Sequence, residues 1–173
     1  MKSRTRHFVT TILAAALLPS MAGAANVYTT GIPKTAAFDV TMRIVADCTI
    51  SATGIDFGQN QGLLTQAVSG TANIKVTCSN TTPYNIGLNQ GTGAGSSGTT
   101  RYMAGTGANT GTVKFNLYQS SGGGLWGNTQ GSDTVGGTGS GQAQNITVYG
   151  EIPVQDTPAP DAYKSTITAT VYF

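Results

Sequence analysis

Apolar residues in this chain recur at every second position far more often than at every third or fourth. In residues 36–46, Phe38, Val40, Met42 and Ile44 alternate with Asp39, Thr41 and Arg43. The stretch "ANIKVTC" (72–78) sets Ile74, Val76 and Cys78 against Asn73, Lys75 and Thr77. The same period returns in Tyr84, Ile86 and Leu88, in Val113, Phe115 and Leu117, and in Ile146, Val148 and Ile152. The last run, "YKSTITATVYF" (163–173), places Ile167, Ala169, Val171 and Phe173 on one face. A period of two sends alternate side chains to opposite faces of a strand, so each run predicts a half-buried β-strand. Short strands separated by Gly, Ser, Thr and Asn predict an all-β chain, an antiparallel sandwich or barrel.

The glycines gather at 91–98, 104–111 and 122–141, which are expected to be loops at the ends of sheets. "GAGSSG" (93–98) fits the spacing of a dinucleotide-binding loop, but no helical period follows it and no acid stands at the required distance, so the match is coincidental. "NTT" (80–82) and "NIT" (145–147) fit the glycosylation triplet, a cheap match in a Thr-rich chain. Trp126, in "GGLWGN", has two readings. It is either a platform for stacking a sugar or, as is commoner for so large a ring, a cap over the end of a core.

The first residues change the charge picture. Lys2, Arg4 and Arg6 precede an apolar core from Phe8 to Leu18, and Ala22-Gly23-Ala24 has the form of a cleavage site, so 1–24 reads as a signal peptide. Removing it takes away three basic residues and leaves six, scattered singly, against seven acids. No basic stripe remains for phosphates, which argues against nucleic acid. The single histidine, His7, leaves with the leader. A mature chain without histidine holds no Ser-His-Asp triad and no imidazole metal ligand, so no catalytic residue, metal or cofactor is assigned and a secreted hydrolase is disfavoured. Cys48 and Cys78 in an exported chain most simply form one disulfide. Only 9 % of residues are charged, so the polar faces of strands are coated with Thr, Ser, Asn and Gln.

In order along the chain, "FDVTMRIVADCTI", "GTANIKVTC", "RYM" after a glycine-rich loop, "FNLYQSSGGGLWGN", "TVYGEIPV" and "AYKSTITATVYF" resemble the spore coat protein U domain family. That family includes subunits of archaic, Csu-type chaperone–usher pili. The resemblance implies an incomplete immunoglobulin-like antiparallel β-sandwich lacking its last strand, with an N-terminal donor strand. It divides the chain into a signal peptide (1–24), an extension carrying the donor strand (25–46) and the sandwich domain (47–173). An open sheet edge beside exposed apolar side chains invites pairing with another chain. By the resemblance, Phe38, Val40, Met42 and Ile44 seat in a neighbour's groove, and Ile167, Ala169, Val171 and Phe173 line the groove and meet the chaperone. The competing reading of 36–46 is an ordinary first strand within its own domain, and alternation alone fits both. By the resemblance, glycine and acidic residues are expected around Tyr163. Here "DAYKST" has Ala162 and Ser165, which argues against a polar network at that turn.

The function implied is a structural subunit of an adhesive surface pilus, assembled by donor-strand complementation and serving attachment and biofilm formation. The implied partners are a periplasmic chaperone, an outer-membrane usher and copies of the same or related subunits. The chain would pass through the periplasm to the cell surface. The alternatives are a secreted coat or matrix protein of the same fold, and a carbohydrate- or surface-binding tip module.

Overall fold

The computed structural model describes residues 31–60 and 63–173. The signal segment 1–24 and the start of the extension lie outside the described residues. The chain divides into two units, one ending at Met42 and the other running Arg43–Phe173. Residues 31–47 carry no regular secondary structure. Among the described residues every element is a strand: β1 (Cys48–Ala52), β2 (Val68–Cys78), β3 (Pro83–Leu88), β4 (Arg101–Gly105), β5 (Thr112–Tyr118), β6 (Val135–Thr138), β7 (Ala143–Ile152), β8 (Tyr163–Lys164) and β9 (Ala169–Tyr172).

Two antiparallel sheets form the second unit. The larger has the order β1-β2-β7-β5-β4-β8 and the smaller β6-β3-β9. The long central pair, β2 and β7, is in register from Val68↔Ile152 to Thr77↔Ala143. Ala72, Ile74, Val76 and Cys78 of β2 therefore face inward while Thr71, Asn73 and Lys75 face solvent, as the period of two requires. Tyr84, Ile86 and Leu88 of β3, Val113, Phe115 and Leu117 of β5, and Val148 and Ile152 of β7 complete one core. Burial raises the Tyr84 phenol above its ordinary value.

Two features of the core were not visible in the periodicity. Gly70 and Gly150 face each other across β2 and β7. A Cβ on either would stand 2.7 Å from Ile55, so these two glycines make the room in which Ile55 and Phe57, on the chain leaving β1, pack across the sheet. β6 also forms inside the glycine-rich 122–141, where a loop was expected. Gly137 faces Tyr84 in the β3–β6 register, and any side chain there would run into the Tyr84 ring. The missing side chain lets a strand lie flat against that ring.

Cys48 and Cys78 are directly opposed in the β1–β2 register and joined by a disulfide, with Cα atoms 4.1 Å apart and a separation of 30 positions in sequence. In the chain-entropy account, closing such a loop contributes about 3–4 kcal/mol. Cys48→Ser is expected to lower subunit yield and to raise protease sensitivity. Thiol labelling of the native protein checks the pairing: labelling is expected only after reduction, and two reactive thiols in the folded chain would contradict it.

Candidate functional site

β1 is an outer strand of the larger sheet, as is β8, and β9 an outer strand of the smaller, as is β6, so β1 and β9 each have one edge that no described strand occupies. β9 pairs through Asn85↔Tyr172 to Leu88↔Ala169 with β3, and β1 pairs only with β2. An unpaired edge leaves a row of N–H and C=O groups ready to accept a further strand. The apolar side chains beside these edges are half-buried. Ile50, Ile55 and Phe57 on one side, and Ile167, Ala169 and Val171 on the other, pack against the core while keeping part of their surface in solvent.

A cavity of about 670 Å³ lies at the β8 side of the larger sheet and shares Ile55 and Phe57 with this row. Its walls are the chain leaving β1 (Ile55–Asn60) and the chain approaching β8 (Thr157–Tyr163). Its inner surface comes from Met103, Val113 and Ile152. No group of three or more His, Cys, Asp or Glu suited to a metal occurs among the described residues. The chemistry on offer is main-chain hydrogen bonding along an edge and burial of apolar side chains beside it.

The donor residues expected from the sequence form no strand. Phe38, Val40, Met42 and Ile44 are between 78 % and 87 % exposed. Asp47 ties the end of this stretch to the body: its carbonyl accepts from Ser79 N–H at 2.9 Å and its own N–H donates to Ser79 Oγ at 3.0 Å. Of the residues expected to line a groove, Ile167, Ala169 and Val171 lie in the half-buried row, whereas Phe173 falls beyond β9 and is 58 % exposed.

The terminal run is not one strand over 163–173. β8 pairs with β4 in the larger sheet, and β9 pairs with β3 in the smaller one. Between them residues 165–168 change sheets and bond to the loop after β3. A polar network does form at the preceding turn, against the expectation drawn from Ala162 and Ser165. Asp161 Oδ2 accepts from Gly107 N–H at 3.1 Å, Asn109 donates to the Tyr163 hydroxyl and to Ala159 O, and the Tyr163 hydroxyl donates to Ala159 O at 2.6 Å. Asp161, the first residue of "DAYKST", supplies the acid.

Trp126 is fully buried, and its indole N–H donates to Ile86 O at 2.8 Å, so it caps the core and offers no stacking face. Sequence reasoning missed its companion. Arg101, the first residue of "RYM", is also fully buried and sits at the start of β4. Nε donates to Asn89 O at 3.0 Å, while Nη2 donates to Leu88 O at 2.9 Å and to Trp126 O at 2.7 Å. Burial draws the guanidinium down to about 10, with Asp133 pulling the other way, so it stays charged at neutral pH. Among the described residues, no buried side-chain N or O lacks a partner. Arg101 thus joins the end of β3, which carries β9, to the Trp126 loop.

The chain matches the family model of the Spore Coat Protein U domain over residues 34–170. It is also similar to a chain in the crystal structure of the CsuC–CsuE chaperone–tip adhesion subunit pre-assembly complex from archaic chaperone–usher Csu pili of Acinetobacter baumannii. The identity is 25 % and the TM-score 0.52, over 75 % of this chain and 40 % of that one. This chain therefore spans less than half the length of that neighbour. No curated protein sequence matches it significantly.

Proposed function

Because the chain belongs to the Spore Coat Protein U domain family, we propose that it is a structural subunit of a chaperone–usher pilus, with residues 36–46 acting as the strand it gives to the next subunit. One observation carries this reading: the four alternating apolar residues 38, 40, 42 and 44 stand in solvent, while Ile167, Ala169 and Val171 beside the unpaired β9 edge of the same protein keep part of their surface exposed. Each half would be unfavourable alone. A strand added along β9 satisfies a row of main-chain groups, and its side chains enter the groove. Each apolar side chain so buried contributes about 1.5–3 kcal/mol.

In this reading the domain boundary falls near residue 46, with the extension serving a neighbour and 47–173 receiving one. Before assembly a periplasmic chaperone covers the groove, and at the outer membrane an usher passes subunits into the fibre. The chain is exported through the periplasm to the cell-surface fimbrium, where it serves a structural and not an enzymatic role, in attachment and biofilm formation.

The test is Val171→Asp. Val171 lies on β9 opposite Ile86, with its side chain in the half-buried row. A carboxylate there, covered by an incoming strand, loses its solvation without gaining a partner, at several kcal/mol. The variant is expected not to accumulate in complex with the chaperone. Wild-type levels of that complex would contradict the proposal.

A further inference from the structure

The wall of the groove has a weak point where the chain passes from β8 in one sheet to β9 in the other. Residues 165–168 pair there with no strand, and Ile167, one of the groove residues, sits in their midst. What holds them is the loop after β3. Thr168 N–H donates to Asn89 Oδ1 at 2.9 Å, and Asn89 N–H donates back to Thr168 O at 3.1 Å. Thr166 N–H donates to Thr92 Oγ1 at 3.0 Å, and Thr92 N–H donates to Ser165 Oγ at 3.2 Å. Side chains here replace the strand partner that the backbone lacks.

Asn89 is the centre of this clasp. Its Oδ1 also accepts from Gly91 N–H at 3.1 Å, a local turn that fixes the side chain. Its carbonyl accepts from the buried Arg101 at 3.0 Å, so the residue is anchored from behind. Gly91 has φ +82°, and a Cβ there would meet Ser165 Oγ at 2.6 Å and Ile167 Cδ1 at 2.7 Å. The loop can close on 165–168 only because that position is glycine.

We propose that Asn89, backed by Arg101, is a positioning residue of the groove: its side-chain oxygen sets where Ile167 and the start of β9 stand when the incoming strand arrives. This rests on the donor-strand reading and names the residue that readies the site. Asn89 reaches the incoming strand only through the backbone of 165–168, so its loss should slow strand uptake more than it weakens the domain. Only the oxygen of the amide is used in the clasp, so aspartate can replace it and alanine cannot.

The experiment uses the full mature subunit in complex with its chaperone, challenged with a synthetic peptide of residues 34–47. Release of chaperone is timed, and amide hydrogen exchange is read at Thr168. Asn89→Ala is expected to slow release at least tenfold and to lose protection at Thr168. Asn89→Asp is expected to stay within twofold of wild type on release and to keep the protection. Thr92→Val, a milder change, is expected to lose protection at Thr166 and to slow release by a smaller factor. If the alanine variant yields no complex, the Asn89→Asp and Thr92→Val comparison decides by the same measures. Equal release from wild type and Asn89→Ala would overturn the positioning role, as would equal slowing by alanine and aspartate. A wild-type complex indifferent to the peptide would instead overturn the donor-strand reading on which the proposal stands.

Discussion

Replacing Arg101 with methionine is expected to destabilise the subunit by about 3–5 kcal/mol, because three buried backbone carbonyls lose their donor. Methionine has similar reach and would fill the space, so the loss is not chiefly one of packing. What disappears is the set of donors facing Leu88 O, Asn89 O and Trp126 O. Each buried carbonyl left without a partner costs about 1–3 kcal/mol, and the loop ends that carry them are drawn apart. Lysine keeps the charge but not the fork, so Arg101→Lys should recover only part of the loss. Trp126 is the single tryptophan of the chain and touches the same cluster, so its fluorescence reports the change directly. Urea unfolding followed by that signal should show an early transition for Arg101→Met, an intermediate one for Arg101→Lys and the latest for wild type. A midpoint for Arg101→Met equal to wild type would show that the carbonyls find other partners.

Arg101 also marks where the sequence stopped being legible. The period of two made β2, β3, β5 and β7 readable because those strands bury one face and wet the other. It treats an arginine as an outward residue. β4 turns Arg101 inward because its acceptors come from 12, 13 and 25 residues away in the chain, a convergence that only folding creates. Ile55 and Phe57 were hidden for a related reason, since their place over Gly70 and Gly150 depends on two side chains that are absent. The terminal run read as one strand because Ile167, Ala169, Val171 and Phe173 keep the alternation across the change of sheets. The edges of β1 and β9 are a property of sheet order, which no local pattern encodes. A groove for an incoming strand is implied by the family resemblance and by no local pattern.

The extension shows the same division. Its alternation was plain, but alternation suits a strand in its own sheet as well as one in a neighbour's. The structure leaves 31–47 outside every described strand. Removing residues 25–46 is therefore expected to leave the sandwich folded, disulfide-bonded and able to bind its chaperone, while abolishing its ability to extend a fibre. Such a subunit still accepts a strand, so mixed into wild type it should end fibres and shorten them. Loss of the folded subunit on deletion would instead make the extension part of its own domain.

Val40→Asp tests the central claim within the whole chain. Val40 stands in the middle of the exposed row and is 87 % exposed, so a carboxylate there leaves the unassembled subunit undisturbed. If the stretch is donated to a neighbour, the same carboxylate would enter an apolar groove, where an unpaired charge costs several kcal/mol on top of the lost valine burial. The decisive measurement is a paired one on this variant: co-purification of the subunit with its chaperone, and heat-resistant polymer on a gel. Donor-strand exchange predicts a normal complex with little or no polymer. Loss of the complex together with the polymer, or wild-type polymer from the variant, would contradict it.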